Sequence, residues 1–366
     1  MYCKDLKSLK STLNEVQNHS KTRAVLLFAA DKDHPEKAAL ETVLKQFSKP
    51  LMGGIFPEII ADGERRQTGF LVIPLFQELH TVLLDLSGDI TEINNTITSH
   101  AEAKFMNNPG IFCFTDALAS QKSALIDSLY DCWGPDANYV GGGAGSLSFQ
   151  PFPCIIHQDF VAENAAVIGV MDSDIRVGVA HGWTPISEPI KVTETDGNSI
   201  ISLNWIPAFD LYRQQIKAHS DLDISPENFF NIAKSYPLGL VRLDSEMTIR
   251  DPYATENGRL HIVDNVPESE YIRIMNGNMD SLLEGAKTAV AASDTHINIE
   301  KSEHFCVDCI SRVLYMQDEF GQELALLNQA KPMNGVLSIG EIANLGDTVL
   351  ELFNKTIVVA KWNKTN

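Results

Sequence analysis

The side chains best placed to do chemistry fall into three groups. His181 closes the segment Asp174-Ile-Arg-Val-Gly-Val-Ala-His181, in which alternation puts Ile175, Val177, Val179 and His181 on one face of a strand. Gly182 then leaves room and Trp183 supplies an aromatic wall. An imidazole at the edge of an apolar slot is what a haem asks of its proximal ligand, because the porphyrin wants apolar surroundings and the iron a neutral ring nitrogen. The other reading is a core-edge histidine hydrogen-bonded to a carbonyl. His157 and His261, each beside isoleucine or leucine, are weaker alternatives for the same role, and His19, His34, His100, His219 and His296 sit in polar contexts that suit surface residues.

Cys306-Val-Asp-Cys309 has the two-residue spacing of a redox or metal pair, but no second pair stands at finger spacing, so a zinc site needs ligands from distant chain. Cys309 follows an apolar run and precedes a helical one, and at a helix N-terminus its thiolate is favoured. Arg312 and Glu341 each follow an apolar strand and are expected at the same sheet end. There they clamp a carboxylate and an amine respectively, or Arg312 holds haem propionates, or the two pair with each other. Gly141-Gly-Gly-Ala-Gly-Ser146 lacks the Lys-Ser/Thr ending of a phosphate loop and reads as close strand packing. No His-Glu-x-x-His, Gly-x-Ser-x-Gly or dinucleotide fingerprint is present. A Cys309–His304 nucleophile pair is the one enzymatic arrangement left open.

Three segments repeat the order strand, helix, Gly-marked strand, closing strand. They begin at Val25–Phe28, Ile111–Phe114 and Phe305–Val307, and reach their glycines Gly53, Gly141 and Gly335 after roughly 25 to 28 residues. The middle of the chain is strand-rich, with a tight turn at Asp196-Gly197-Asn198, and Pro207 suits the first turn of a helix to about His219. A half boundary is placed near Asn204. Beyond it come a short helix near 226 to 233, strands near 238–243, 248–250, 260–263 and 271–275, and a helix from Asp280 to Ala292. These units predict an α/β (α+β) chain of repeated β-α-β-β units, with two mixed sheets packed face to face and helices outside.

With 44% hydrophobic and 21% charged residues, the 366-residue chain has the composition of a packed globular protein long enough for two domains. A formal charge of −19 repels phosphate backbones and anionic headgroups, so nucleic-acid and membrane-surface partners are not expected. No secretory leader and no run of about 20 apolar residues is apparent, and six scattered cysteines do not make a secreted scaffold. A cytoplasmic protein with reduced thiols is expected.

Gly178-Val-Ala-His-Gly-Trp-Thr-Pro185, then Val192-Thr193, Asp196-Gly-Asn198, Pro207-Ala208 and Tyr212-Arg213, resemble the junction of the two halves of the FIST family of signal-input proteins. Cys309-Ile-Ser-Arg312, Gly340-Glu341-Ile-Ala-Asn344 and Asn354-Lys-Thr356 extend the resemblance over nearly the whole chain. The resemblance implies a FIST N-terminal domain over 20–203, a FIST C-terminal domain over 204–366, and ligand sensing rather than catalysis. The chain is most similar to the subgroup that binds haem and senses nitric oxide. On that basis His181 is expected as the iron ligand, with Trp183 and Arg312 around the haem, Cys309, Arg312, Gly340 and Glu341 around a ligand, and a histidine kinase or other signalling protein as the separate partner. A homodimer is one expected assembly. The alternatives are a sensor of a small polar ligand such as an amino acid, without haem, and an enzyme with a Cys309 nucleophile.

Overall fold

The structure, a computed structural model, describes residues 1–102, 109–242, 247–295, 297–344 and 349–364. Each repeat builds the same object. In the first, strand Ala24–Ala30 runs parallel to Leu51–Phe56 through helix Lys37–Leu44, and Phe70–Leu75 returns antiparallel on its other side. The second uses Gly110–Asp116, helix Lys122–Trp133, Asn138–Ala144 and Ala165–Met171 in the same relation. The third uses Ser302–Cys309, helices Ile310–Met316 and Phe320–Leu327, Asn334–Ser338 and Ile357–Asn363.

The glycine in each second strand is required by the parallel neighbour. A Cβ on Gly53 would stand 1.8 Å from the Leu27 carbonyl oxygen, one on Gly141 1.7 Å from that of Cys113, and one on Gly335 2.3 Å from that of Cys306. No side chain fits at those separations.

Each unit lends its next strand to a neighbour's sheet. Glu58–Ala61 of the first pairs with Asn334–Ser338 of the third; Glu341–Asn344 of the third pairs with Asn138–Ala144 of the second; Ile155–His157 after the second pairs with Leu51–Phe56 of the first. The exchange closes a ring of three sheets. Inside it the Phe28 ring meets Phe114 at 5.0 Å and Phe305 at 5.3 Å between centroids, and all three rings are fully buried. Burial of each such ring contributes about 1.5–3 kcal/mol.

A fourth sheet lies in Thr184–Asn276. It is antiparallel, in the order Thr248–Arg250, Leu238–Leu240, Tyr271–Asn276, Ile190–Asp196, Ser199–Leu203, Arg259–Ile262, Pro252–Glu256. Helices Ala208–Ser220 and Phe229–Ala233 join one apolar cluster with it. The two connections of this lobe to the rest of the chain run side by side, since Thr184 pairs with Asn276. Gly182, at φ +80°, and Gly277 flank them; a Cβ on Gly182 would lie 2.2 Å from the Ser281 carbonyl oxygen.

The fold is therefore α/β with mixed sheets and helices outside, built from repeated β-α-β-β units; the described strands form four sheets where two were expected. The position near Asn204 falls in the turn between Ser199–Leu203 and Ile206–Pro207, inside the fourth sheet. The expected strand 238–243 is seen as Leu238–Leu240, and Leu243 and His296 lie outside the described residues. Among the described residues no helix is long and apolar enough to cross a membrane.

Candidate functional site

His181 ends strand Ile175–Ala180, which pairs with the third unit's closing strand. Its Nδ1 accepts the Trp183 backbone N–H at 2.8 Å, and the ring is also hydrogen-bonded to the backbone of Met247. Burial, then the Arg312 charge, push its pKa down to about 4, so the ring is neutral at pH 7. Trp183 is buried too, and its Nε1–H donates to the Lys355 carbonyl at 3.1 Å.

Arg312 has no exposed surface. It donates to the His181 carbonyl at 2.8 Å, to the Leu282 carbonyl at 3.1 Å and to both carboxylate oxygens of Glu323 from the following helix. Asp308 lies 3.3 Å from its Nε. Burial, then the charge of Glu323, push Asp308 well above the usual carboxylate range. Arg312 and Glu341 do not pair with each other.

Glu341 opens strand Glu341–Asn344 beside Gly340. It accepts from Ser338 Oγ at 2.8 Å and from the Thr356 N–H at 3.3 Å, and it bonds Cys309. Burial raises its pKa to about 8. Cys309 is the N-cap of helix Ile310–Met316, as its position in sequence suggested, yet burial and then Glu341 push the thiol up rather than down. Desolvation outweighs the helix terminus here. Cys306 and Cys309 stand three apart on one strand, so they face opposite sides, and the cysteines are free. His304 and Cys309 lie near opposite ends of that strand, about 16 Å apart at 3.3 Å per residue, which separates the nucleophile pair left open above. His157 and His261 are partly exposed and bonded to the Thr81 and Ser199 hydroxyls.

Next to Glu341 and Cys309 lies a group of charges to which the sequence pointed only through the Asn354-Lys-Thr356 motif. The turn Asn354-Lys355-Thr356 leads into the last strand, with Lys355 at φ +52° and the Thr356 carbonyl accepting the Cys309 N–H. Lys355 reaches from the three-unit core to the lobe, where its Nζ meets Asp251 at 3.1 Å and the Lys234 carbonyl at 3.0 Å under the Trp183 ring. Asp251 also accepts from Ser311 at 3.1 Å. Lys122, at the start of the second unit's helix, meets Asp264 of the lobe at 3.0 Å, and Asn354 donates to the other oxygen of Asp264 at 2.8 Å. Burial raises Asp251 against the pull of Lys355; it acts to raise Asp264 as well, but Lys122 and Arg250 outweigh it and leave that carboxyl below its usual value. Asp251 Oδ1 and Asn354 Oδ1 are buried with no hydrogen-bond partner. Among the described residues no three His, Cys, Asp or Glu side chains are gathered to hold a metal ion.

The FIST N domain family model matches residues 23–206 and the FIST C domain model residues 208–344. A search of curated proteins found no match to the chain.

Proposed function

The chain belongs to the FIST family, whose domains are signal-transduction sensors, and from that premise we propose that it senses a small polar ligand at the seam between the lobe Thr184–Asn276 and the three-unit core. The supporting observation is that charge pairs cross this seam, the buried Lys355–Asp251 and the partly buried Lys122–Asp264. Buried ion pairs contribute little net stability because desolvation offsets their attraction. Ile249 and Met275 of the lobe also share an apolar cluster with Leu282, Ile310 and Ile357 of the core, so opening begins at the two adjacent connections and the charge pairs rather than all along the seam. A ligand that interacts differently with the closed and open forms shifts their populations, and occupancy becomes a signal. Output passes to a separate signalling protein, a histidine kinase on the strength of the family resemblance.

The polar-ligand reading is preferred to haem and nitric oxide because the expected haem residues do not fit a porphyrin. His181 is held by Trp183 and Met247, Trp183 is tied to Lys355, and Arg312 is spent on Glu323, His181 and Leu282. A haem titration is expected to give the same absorption spectrum for wild type and His181→Ala. A Soret band that depends on His181 would restore the haem reading.

Hydrogen exchange on the full chain tests the seam. Lobe amides near Thr184 and Asn276 should open together, with less protection than strands Ala24–Ala30 and Ser302–Cys309, and Lys355→Met should raise that opening about tenfold or more, the equivalent of ~1.4 kcal/mol. Uniform protection across lobe and core, unmoved by Lys355→Met, would overturn the reading.

A further inference from the structure

Lys355, Lys122, Asn354 and Ser311 are all engaged as donors at the seam. Lys355 Nζ serves Asp251, the Lys234 carbonyl and the Trp183 ring; Lys122 Nζ serves Asp264 and the Ala117 carbonyl; Asn354 Nδ2 serves Asp264 and the Phe353 carbonyl; Ser311 serves Asp251. Two buried acceptors are left over beside them. Asp251 Oδ1 and Asn354 Oδ1 are acceptors without a donor, on residues only 5% and 2% exposed. A buried acceptor left unmatched carries its full desolvation penalty, so such atoms call for an occupant.

Charge narrows the class. Asp251 is balanced by Lys355 and Asp264 by Lys122, while Arg250, bonded to the Ile249, Leu352 and Asn265 carbonyls, feels the charges of both Asp264 and Glu351. A cationic head would find both carboxylates already paired. An anionic one would meet only lone pairs.

We infer that the seam recognises the head of a small ligand that is uncharged and donates hydrogen bonds, a carboxamide or a vicinal diol, through Asp251 Oδ1 and Asn354 Oδ1. This rests on the seam reading above and adds the chemistry of the occupant to it. Carboxylates, phosphates and alkylammonium ions are excluded from these two atoms.

The test is calorimetric titration of the full chain with propionamide, 1,2-propanediol, propionate, inorganic phosphate and propylammonium. The expected result is saturable binding of propionamide or propanediol, whichever has the matching donors, and none of the three ions. Asn354→Ala should weaken that binding about tenfold or more while keeping a cooperative melting transition. Asp251→Asn, which places an N–H₂ group where an acceptor stood and leaves Lys355 without its carboxylate, should move the preference toward propionate. If Asp251→Asn fails to fold, the probe preference and Asn354→Ala carry the test. Binding of an ion that Asn354→Ala abolishes overturns the ligand class and leaves the seam reading standing. No saturable binding by any probe overturns the class as well, leaving water as the occupant, and lobe opening measured by hydrogen exchange then decides the seam reading separately.

Discussion

Arg312 joins three segments without exposing any surface: the strand end at His181, the helix Met279–Ser293 at Leu282 and the helix Phe320–Leu327 at Glu323. Removing it strands the Glu323 charge, so Arg312→Met is expected to lower stability by about 3–5 kcal/mol in chemical denaturation. Arg312→Lys should recover little of this, because an ammonium cannot span two carbonyls and both Glu323 oxygens. The titrating groups give a pH profile. His181 and His304 are pushed to about 4 from 6.5, each by burial first, so the folded form resists protons that the unfolded form accepts. Their contribution is complete above pH 6.5 and is lost as pH falls toward 4, by about 3 kcal/mol for each at most. Glu341 works the other way. Raised from 4.5 to about 8, it favours the fold below pH 4.5 and loses that contribution as pH rises to 8, so Glu341→Gln should exceed wild type in stability at pH 8 by several kcal/mol and approach it near pH 5. A melting series from pH 4 to 9 on the two proteins checks both slopes. Arg312 and Glu341 stood out in the sequence because charges directly after apolar strands are rarely idle. Their partners were hidden, since Glu323 lies among ordinary helix residues and Asp308 inside a strand.

At the level of elements, the hinge side of the lobe depends on one backbone conformation. Gly182 combines a left-handed φ of +80° with a Cβ position 2.2 Å from the Ser281 carbonyl oxygen. Gly182→Ala therefore meets a conformational penalty of about 1 kcal/mol or more in addition to a backbone clash that only movement of helix Met279–Ser293 can relieve. The expected outcome is a lower melting temperature, whereas Gly197→Ala, at a turn with open space around its Cβ, should show only the conformational part. The repeated units were readable because apolar periodicity and the glycines at matching distances come from the same need, a parallel strand pressed against its neighbour. The seam was readable only as the motif Asn354-Lys-Thr356, with no sign of its charge partners. Asp251, Asp264, Lys122 and Lys355 look like surface charges along the chain, and only the return of Ile357–Asn363 to the third sheet brings Lys355 under Trp183. The turn carrying it also lies past residue 344, where the FIST C match ends.

The whole molecule is tied by the ring of exchanged strands, and this determines what a fragment can do. A chain cut at the Asn204 turn leaves Ile175–Ala180 without Ile357–Asn363, Glu58–Ala61 without Asn334–Ser338, and Asn138–Ala144 without Glu341–Asn344. Each broken pairing exposes an apolar sheet edge, which is a site for aggregation. The fourth sheet is divided as well, because Ile190–Asp196 and Ser199–Leu203 precede the cut while Tyr271–Asn276 and Arg259–Ile262 follow it. Residues 1–203 and 204–366 made separately should therefore fail to give dispersed near-ultraviolet circular dichroism and should aggregate. Produced together in one cell they should associate into a soluble complex, since both sides of every broken ladder are then present. If either half folds alone with a cooperative transition, strand exchange does not bind the three units into one body, and a change at the lobe seam would have no route to the first unit. If only the pair folds, a ligand that closes the lobe acts on a molecule whose sheets share strands, so its effect can reach surfaces far from Lys355.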